Sequence, residues 1–297
     1  MTTFLNLQDE VLMALHGYGL AQPRTTFLLT SITATDLTVA VRDASNIDMG
    51  LAEIGGELVF IESVDRSSGT ITFSPDGRGY YGTTAAAHDA NARLTFAPTW
   101  PRQRIKSAIN DVILGVWPTL FGVAQTTFTF TPAVTTYEMP DEAEGVLSVT
   151  ADTYGPSRQQ QVINAYRFDA TAPTDEWANG KSVTLLESAS PGADVTVTYT
   201  KEPSILTADS DTIATSGLRE SARKLLMLGA CAELLSMMDV SRLAVDTAPA
   251  DELDNRNAIG SAARLANQFQ IRFEMEVEKE RQRLRETTPA KIKVSYR

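Results

Sequence analysis

The sequence predicts an α+β protein: a helical bundle built from sequence-distant helices, with two antiparallel β-rich insertions and an extended C-terminal arm. Three observations predict it. Apolar residues recur at helical spacing in four separate segments. Two blocks separating the first three alternate with the period of strands. The last residues alternate too, with no strand nearby in sequence to pair with.

The first helix belongs to residues 1–24, where Leu7, Val11, Leu12 and Leu15 form one stripe before Gly17 and Gly19 end it. Residues 25–98 then read as a small β-barrel or sandwich. Phe27–Leu29, Leu37–Val41, Glu57–Ile61 and Gly69–Phe73 alternate, and Ser67-Ser68-Gly69 and Pro75-Asp76-Gly77 supply turns. The second helix falls within 99–124. Pro101 suits its first turn, Ile105, Ile109, Val112 and Val116 share a face, and Pro118 allows only a last turn or a kink.

Residues 125–206 make the second β-rich block, with Thr127–Phe130, Val146–Val149, Ser182–Leu186 and Val195–Tyr199 as strands. Pro156 and the run from Asp169 to Asp175 predict long loops there. Residues 207–288 hold two long helices. One starts near Ser216, whose hydroxyl is placed to cap it, and passes Leu235; the other runs from about Ala250 to Arg285. A helix as short as the first is unstable without packing, which favours one bundle over separate beads. Each β-block then leaves and returns at a helix connection.

The composition narrows the function. The chain has 297 residues, 43% hydrophobic and 21% charged, enough for a packed core in about two domains. Its net charge of −11 argues against coating nucleic acid, which requires a basic surface, while permitting DNA to slide past without sticking. The single cysteine, Cys231, excludes an internal disulfide and a cysteine metal cluster, and fits assembly in a reducing cytoplasm. The N-terminus lacks the pattern of a signal peptide, and no segment approaches the apolar length of a membrane span, so a soluble chain is expected.

No catalytic, cofactor or metal site is read from the sequence. His16 and His88 sit in no metal-ligand spacing, and neither a serine elbow nor a phosphate loop is present. His16 ends a helix, where an imidazolium suits the C-terminal carbonyls. Carboxylate pairs such as Asp141 with Glu142 lie in turns, and Cys231 reads as a small core residue.

Three segments carry the functional expectation. The first is Gly77–Leu94, whose Arg78, Gly79, Tyr80, Tyr81, Gly82 and His88 form an insertion loop closing the first β-block; its glycines permit positive φ, and the tyrosines can cover the turn. The second is the nearly all-charged end of the last helix, with Glu276, Glu278, Lys279, Glu280, Arg281, Arg283 and Arg285. A helix polar all round leaves its own domain for solvent or another chain. The third is the arm, residues 289–297. It sets Ile292, Val294 and Tyr296 on one face, Lys291, Lys293 and Ser295 on the other, and ends in Arg297. Such a strand docks on a sheet edge of another protein, or else is a terminal tail that is disordered or pairs with this chain's own β-blocks.

Together these features resemble the head-to-tail adaptor (connector) proteins of tailed bacteriophages. The resemblance is carried by Arg78–His88, RGYYGTTAAAH, by helices whose connections carry β-insertions, and by a long last helix ending in a short extended arm. It implies a structural virion protein of the neck, at the head–tail interface, with no enzymatic activity, cofactor or membrane contact. The expected homo-oligomer is a ring, usually a dodecamer, beneath the portal protein. The arm reaches the portal, and the other face receives a stopper, tail-terminator or other neck protein. Genomic DNA passes through the lumen without sequence-specific binding, and the charged helix lies between copies. A competing reading is a tail-tip, baseplate or receptor-binding virion protein, which would present aromatic platforms such as Trp177 and Tyr166 to host glycans. A cell-wall hydrolase with β-accessory domains is a third reading, against which the absent nucleophile and metal motifs speak.

Overall fold

The computed structural model describes residues 1–16, 23–152, 160–243 and 261–287 of the chain. Helix α1 is Phe4–His16. It starts a turn earlier than its apolar stripe suggests, because the Thr3 hydroxyl accepts a hydrogen bond from the Asn6 N–H at 3.2 Å and caps the first turn.

Six strands follow: β1 (Arg24–Phe27), β2 (Thr38–Ala40), β3 (Gly50–Ile54), β4 (Glu57–Asp65), β5 (Thr70–Phe73) and β6 (Arg93–Phe96). They form one antiparallel sheet in the order β1-β6-β3-β4-β5-β2. The sheet curls as a half-barrel until the residues just past its two edge strands meet. Leu28 and Val41 form a bridge, and the Leu29 N–H donates to the Ala40 carbonyl at 2.8 Å. A register shift at Ile61/Ser63 between β4 and β5 provides the bend. The inward residues Leu28, Val41, Ile54, Ile61, Ile71 and Phe73 make a core of their own.

Helix α2 (Arg102–Gly115) leads to the second β-rich body. Its strands are β7 (Gly122–Thr129), β8 (Thr136–Glu138), β9 (Gly145–Asp152), β10 (Gln160–Ile163), β11 (Tyr166–Asp169), β12 (Ser182–Leu185) and β13 (Asp194–Lys201). A four-stranded sheet, β10-β9-β13-β7, faces a three-stranded one, β11-β12-β8. Their inner residues, among them Val149, Ile163, Val183, Val195 and Val197, share one core, so the body is a small sandwich. Phe128 stacks on Tyr137 across it, with ring centroids 3.9 Å apart.

Helices α3 (Arg223–Leu243) and α4 (Ser261–Thr287) complete the described chain. Phe4, Leu7 and Val11 of α1, Ile105 and Ile109 of α2, Leu225 and Leu234 of α3 and Phe269 of α4 bury against one another in a third core.

The expected helical bundle with two β-rich insertions is corrected by this architecture. The chain is mostly β-sheet, with thirteen strands and four helices among the described residues, and both β-rich bodies have cores of their own. The missed strands explain the error. β3, β6, β8, β10 and β11 have three to five residues each, too few to show a clear period, and exist because their partners are in place.

The third helix also starts later than expected. Ser216 sits in a 3-10 turn, Ile213–Ser216, where its hydroxyl donates to the Ile213 carbonyl at 2.7 Å. Gly217 then turns the chain with φ 86°, and helix α3 begins six residues further on. A side chain at Gly217 would come within 3.2 Å of the Gly122 Cα, so the close approach of two backbones ends the turn there. The expected helix start at Ala250 and the arm Lys291–Arg297 lie outside the described residues.

Candidate functional site

The Gly77–Leu94 segment is organised around a buried ion pair. Glu57 opens β4 with its side chain pointing inward, and the loop after β5 brings Arg78 against it. Arg78 Nε and Nη2 donate to the two Glu57 oxygens at 2.7 and 3.1 Å. The remaining guanidinium protons go to the backbone carbonyls of Thr33, Asp36 and Ala86 at 2.9, 2.7 and 2.7 Å. All five donors of Arg78 are thus used.

Glu57 is equally saturated. It accepts the Gly79 and Ala86 N–H groups at 3.0 and 3.1 Å, and His88 Nε2 lies 2.7 Å from it. Burial pushes the Glu57 carboxyl upward, but Arg78, His88 and the two backbone N–H groups together outweigh it and hold the group below its ordinary value. His88 also pairs through its backbone with Ile32, with both hydrogen bonds at 2.9 Å. One carboxylate therefore ties the loop after β5 to the start of β4 and to the segment after β1.

Two glycines make this possible. A side chain at Gly77 would lie 2.7 Å from the Phe60 carbonyl, and one at Gly79, where φ is 63°, would lie 2.8 Å from the Thr83 carbonyl. Tyr80 packs on Phe60 with centroids 5.5 Å apart, while Tyr81 stands 75% exposed at φ 52°. Gly82 closes the turn. The His88–Glu57 contact resembles an acid–base pair, yet the carboxylate has no accepting capacity left. Its role is structural.

Along α4 the charged residues divide by face. Glu276 takes Lys224 of α3 and Lys279, both at 2.8 Å. Glu280 is 4% exposed, accepts the Ser221 hydroxyl at 2.8 Å and pairs with Arg283. Glu278 pairs with Arg281 at 3.1 Å, and Arg285 is exposed. The stretch therefore remains on the body of the chain, with Val277 and Leu284 anchoring it, because Glu276 and Glu280 face α3 and the turn before it.

A furrow runs beside this helix. Its floor is α3 at Gly229 and Ala232, one wall is Val112 of α2 with Val116 just past its end, and the other is Phe273 and Val277 of α4. The walls converge at Gly229, where a side chain would meet Val112 at 2.8 Å and Phe273 at 3.0 Å. Glu233 borders the furrow, and Asp111 is close enough to act on it. Burial and then Asp111 hold the Glu233 carboxyl above its ordinary value.

The other sequence candidates sit apart from the Glu57–Arg78 ion pair. His16 ends α1 beside Trp100, Arg93 and Glu53. Cys231 is buried in the helical core, which pushes its thiol up to about 12. Among the described residues no group of histidines, cysteines and carboxylates could hold a metal ion, and no helix is long and apolar enough to cross a membrane. Tyr166, read as a platform for glycans, is 8% exposed and lies in the sandwich core. Sequence reasoning missed Glu57 and Glu53. The signal was available, since each is a lone carboxylate within an apolar strand pattern.

No curated protein matches the chain. The family model described as SU10 adaptor protein matches residues 83–290, more than two thirds of the chain. The match starts inside the loop that Glu57 organises and takes in α2, the sandwich, α3 and α4; α1 and strands β1–β5 precede it. The chain belongs to the SU10 adaptor protein family, a family of phage head–tail adaptors.

Proposed function

We propose that this chain forms a ring at the junction of phage head and tail, joining the portal to the neck or tail and surrounding the channel through which DNA passes. The observation that carries the reading is the adaptor-family match over the helical core and the sandwich. As an adaptor, the chain is a structural component of the virion and associates with other head or tail proteins. The ring, its dodecameric size, the portal, the stopper or terminator on the other face, and assembly in the host cytoplasm are the finer parts of the proposal.

Three features support it. The net charge of −11 lets a lumen pass DNA without gripping its phosphates. Arg285, exposed near the end of α4 and without an ion pair among the described residues, is available to a neighbouring copy. The arm Lys291–Arg297, basic on one face and apolar on the other, is the proposed portal-docking segment.

Electron microscopy of the purified chain mixed with the portal of the same virus tests this. Twelve-fold rings capping the portal are expected, and a version lacking Lys291–Arg297 should fail to cap it. A trimer or hexamer without portal contact overturns the reading in favour of a tail-tip component.

A further inference from the structure

We infer that the furrow between α2 and α4 is the receiving half of the contact between copies, and that the outer ridge of α4 from the next copy is its occupant. The inference rests on the ring proposed above and names the surfaces that build it.

The furrow is apolar at its base and acidic at its rim. Val112, Ala232, Phe273 and Val277 line it. Glu233, Asp111 and Glu274 stand around it, and among the described residues none of the three has a cationic partner. Arg104 of α2 donates to the Met237 sulfur at 3.1 Å, one turn beyond Glu233. Burial and the neighbouring Asp111 both disfavour the charged form of Glu233, a cost that an incoming cation removes.

The opposite face of α4 has the complementary chemistry. Ile271 and Met275, one turn apart, are 59% and 57% exposed. With Arg264 and Gln268 they follow spacings of four, three and four, which places them on one ridge. Arg264 and Arg272 beside it are exposed and have no acidic partner among the described residues. One side of α4 thus lacks apolar cover and anions, and the furrow on its other side lacks apolar filling and cations.

The lengths agree as well. The ridge from Arg264 to Met275 spans roughly 17 Å at 1.5 Å per residue, and the furrow wall from Ala266 to Glu278 roughly 18 Å. A ridge of one helix seated between two others is the ordinary geometry of helix packing. The two surfaces lie on different sides of α4, so the contact is heterologous and leaves both halves open for further copies, as a ring requires.

Paired cysteines test the contact. Cys231 is buried with its thiol pushed up to about 12, so it stays silent under mild oxidation. Ser236→Cys places a thiol on the furrow and Ile271→Cys one on the ridge. The two single variants are mixed and oxidised with the portal of the same virus present, then separated without reductant and imaged. A disulfide between one chain of each kind is expected, with little between like chains, and adding Met275→Glu to the ridge variant should lower its yield about tenfold. Rings without that disulfide overturn the furrow assignment and leave the ring standing. A Ser236→Cys thiol that bonds the portal instead, or is shielded by this chain's own C-terminal segment, overturns it too. Absence of any ring removes the reading on which it rests. As a second arm, Glu233→Arg should abolish rings and Arg272→Glu in the same chain should restore them; unaffected assembly in Glu233→Arg rejects the contact.

Discussion

The Glu53 carboxylate, carried inward on β3, accepts the backbone N–H of Arg102 at 2.7 Å in the first turn of α2. Pro101 precedes that turn and offers no side-chain cap, so a residue from the half-barrel satisfies a free helix donor and meets the positive end of the helix dipole. The half-barrel is thereby fastened to the helical core. Glu53→Ala should cost about 0.5–2 kcal/mol in denaturant unfolding, the range for a lost helix cap. Burial holds the Glu53 carboxyl above its ordinary value, against the Arg102 N–H and nearby cations. The folded state therefore favours the protonated form, and this group's contribution weakens as pH rises from about 4.5 through the raised value. Glu53→Gln, which keeps an acceptor, should flatten that slope; an unchanged pH profile counts against the assignment.

The Glu57–Arg78 pair has the opposite pH sign. Its carboxyl is held below the ordinary value, so the stabilisation is complete above about 4.5 and is lost as pH falls through the lowered value. Arg78→Ala leaves a buried carboxylate with only His88 and two N–H groups for partners. It should cost about 3–5 kcal/mol, the range for breaking a buried pair. Hydrogen exchange should localise the loss to the segments after β1 and β5. Arg78→Lys should recover little, because a lysine cannot make the two-pronged contact and reach three carbonyls as well.

How much of this was legible in the sequence depended on the range of the interactions. The stripes of α1 and α2 were readable because each helix buries one face along its whole length. The strong strands β4, β5 and β13 were readable because alternation survives over several residues, as in Val195–Tyr199. The balance between helix and sheet was not, since strands such as Thr136–Glu138 owe their form to partners more than 40 residues away. The motif Arg78–His88 was conspicuous in the sequence, yet its meaning lay in Glu57, which is 21 residues from Arg78 and marked only as a lone carboxylate at the head of an apolar strand. The furrow was invisible for the same reason: Gly229 reads as a small residue in a helix until Val112 and Phe273 are seen to converge on it.

That convergence makes Gly229 a sensitive position. A methyl group there meets Val112 at 2.8 Å and Phe273 at 3.0 Å, so α2 or α4 has to give way. Overpacking of this kind costs roughly 1–3 kcal/mol. A gain in helix propensity from Gly to Ala, on the order of 1 kcal/mol, opposes it. Gly229→Ala should therefore be close to neutral or mildly destabilising, and Gly229→Val, which gains little propensity and adds more volume, should be clearly destabilising in thermal melts. Equal melting temperatures for the three proteins would show that the helices close on Gly229 less tightly than these distances state.

Glu233 yields a prediction whose direction reverses on assembly. In the isolated chain, burial and the Asp111 charge raise its pKa, so ionisation works against folding. The penalty is absent well below pH 4.5 and grows as pH rises through the raised value. Glu233→Gln should therefore melt higher than the unmodified chain at pH 8, with the gap closing at pH 4, where both side chains are neutral. In the proposed ring contact the same carboxylate would face Arg264 or Arg272 of the next copy, and removing its charge should weaken assembly. Melting of the isolated chain and sedimentation of the assembled one at pH 8 should then move in opposite directions. A substitution that stabilises both would mean that nothing basic reaches the furrow. One that destabilises the isolated chain would mean that Glu233 already has a partner within its own subunit.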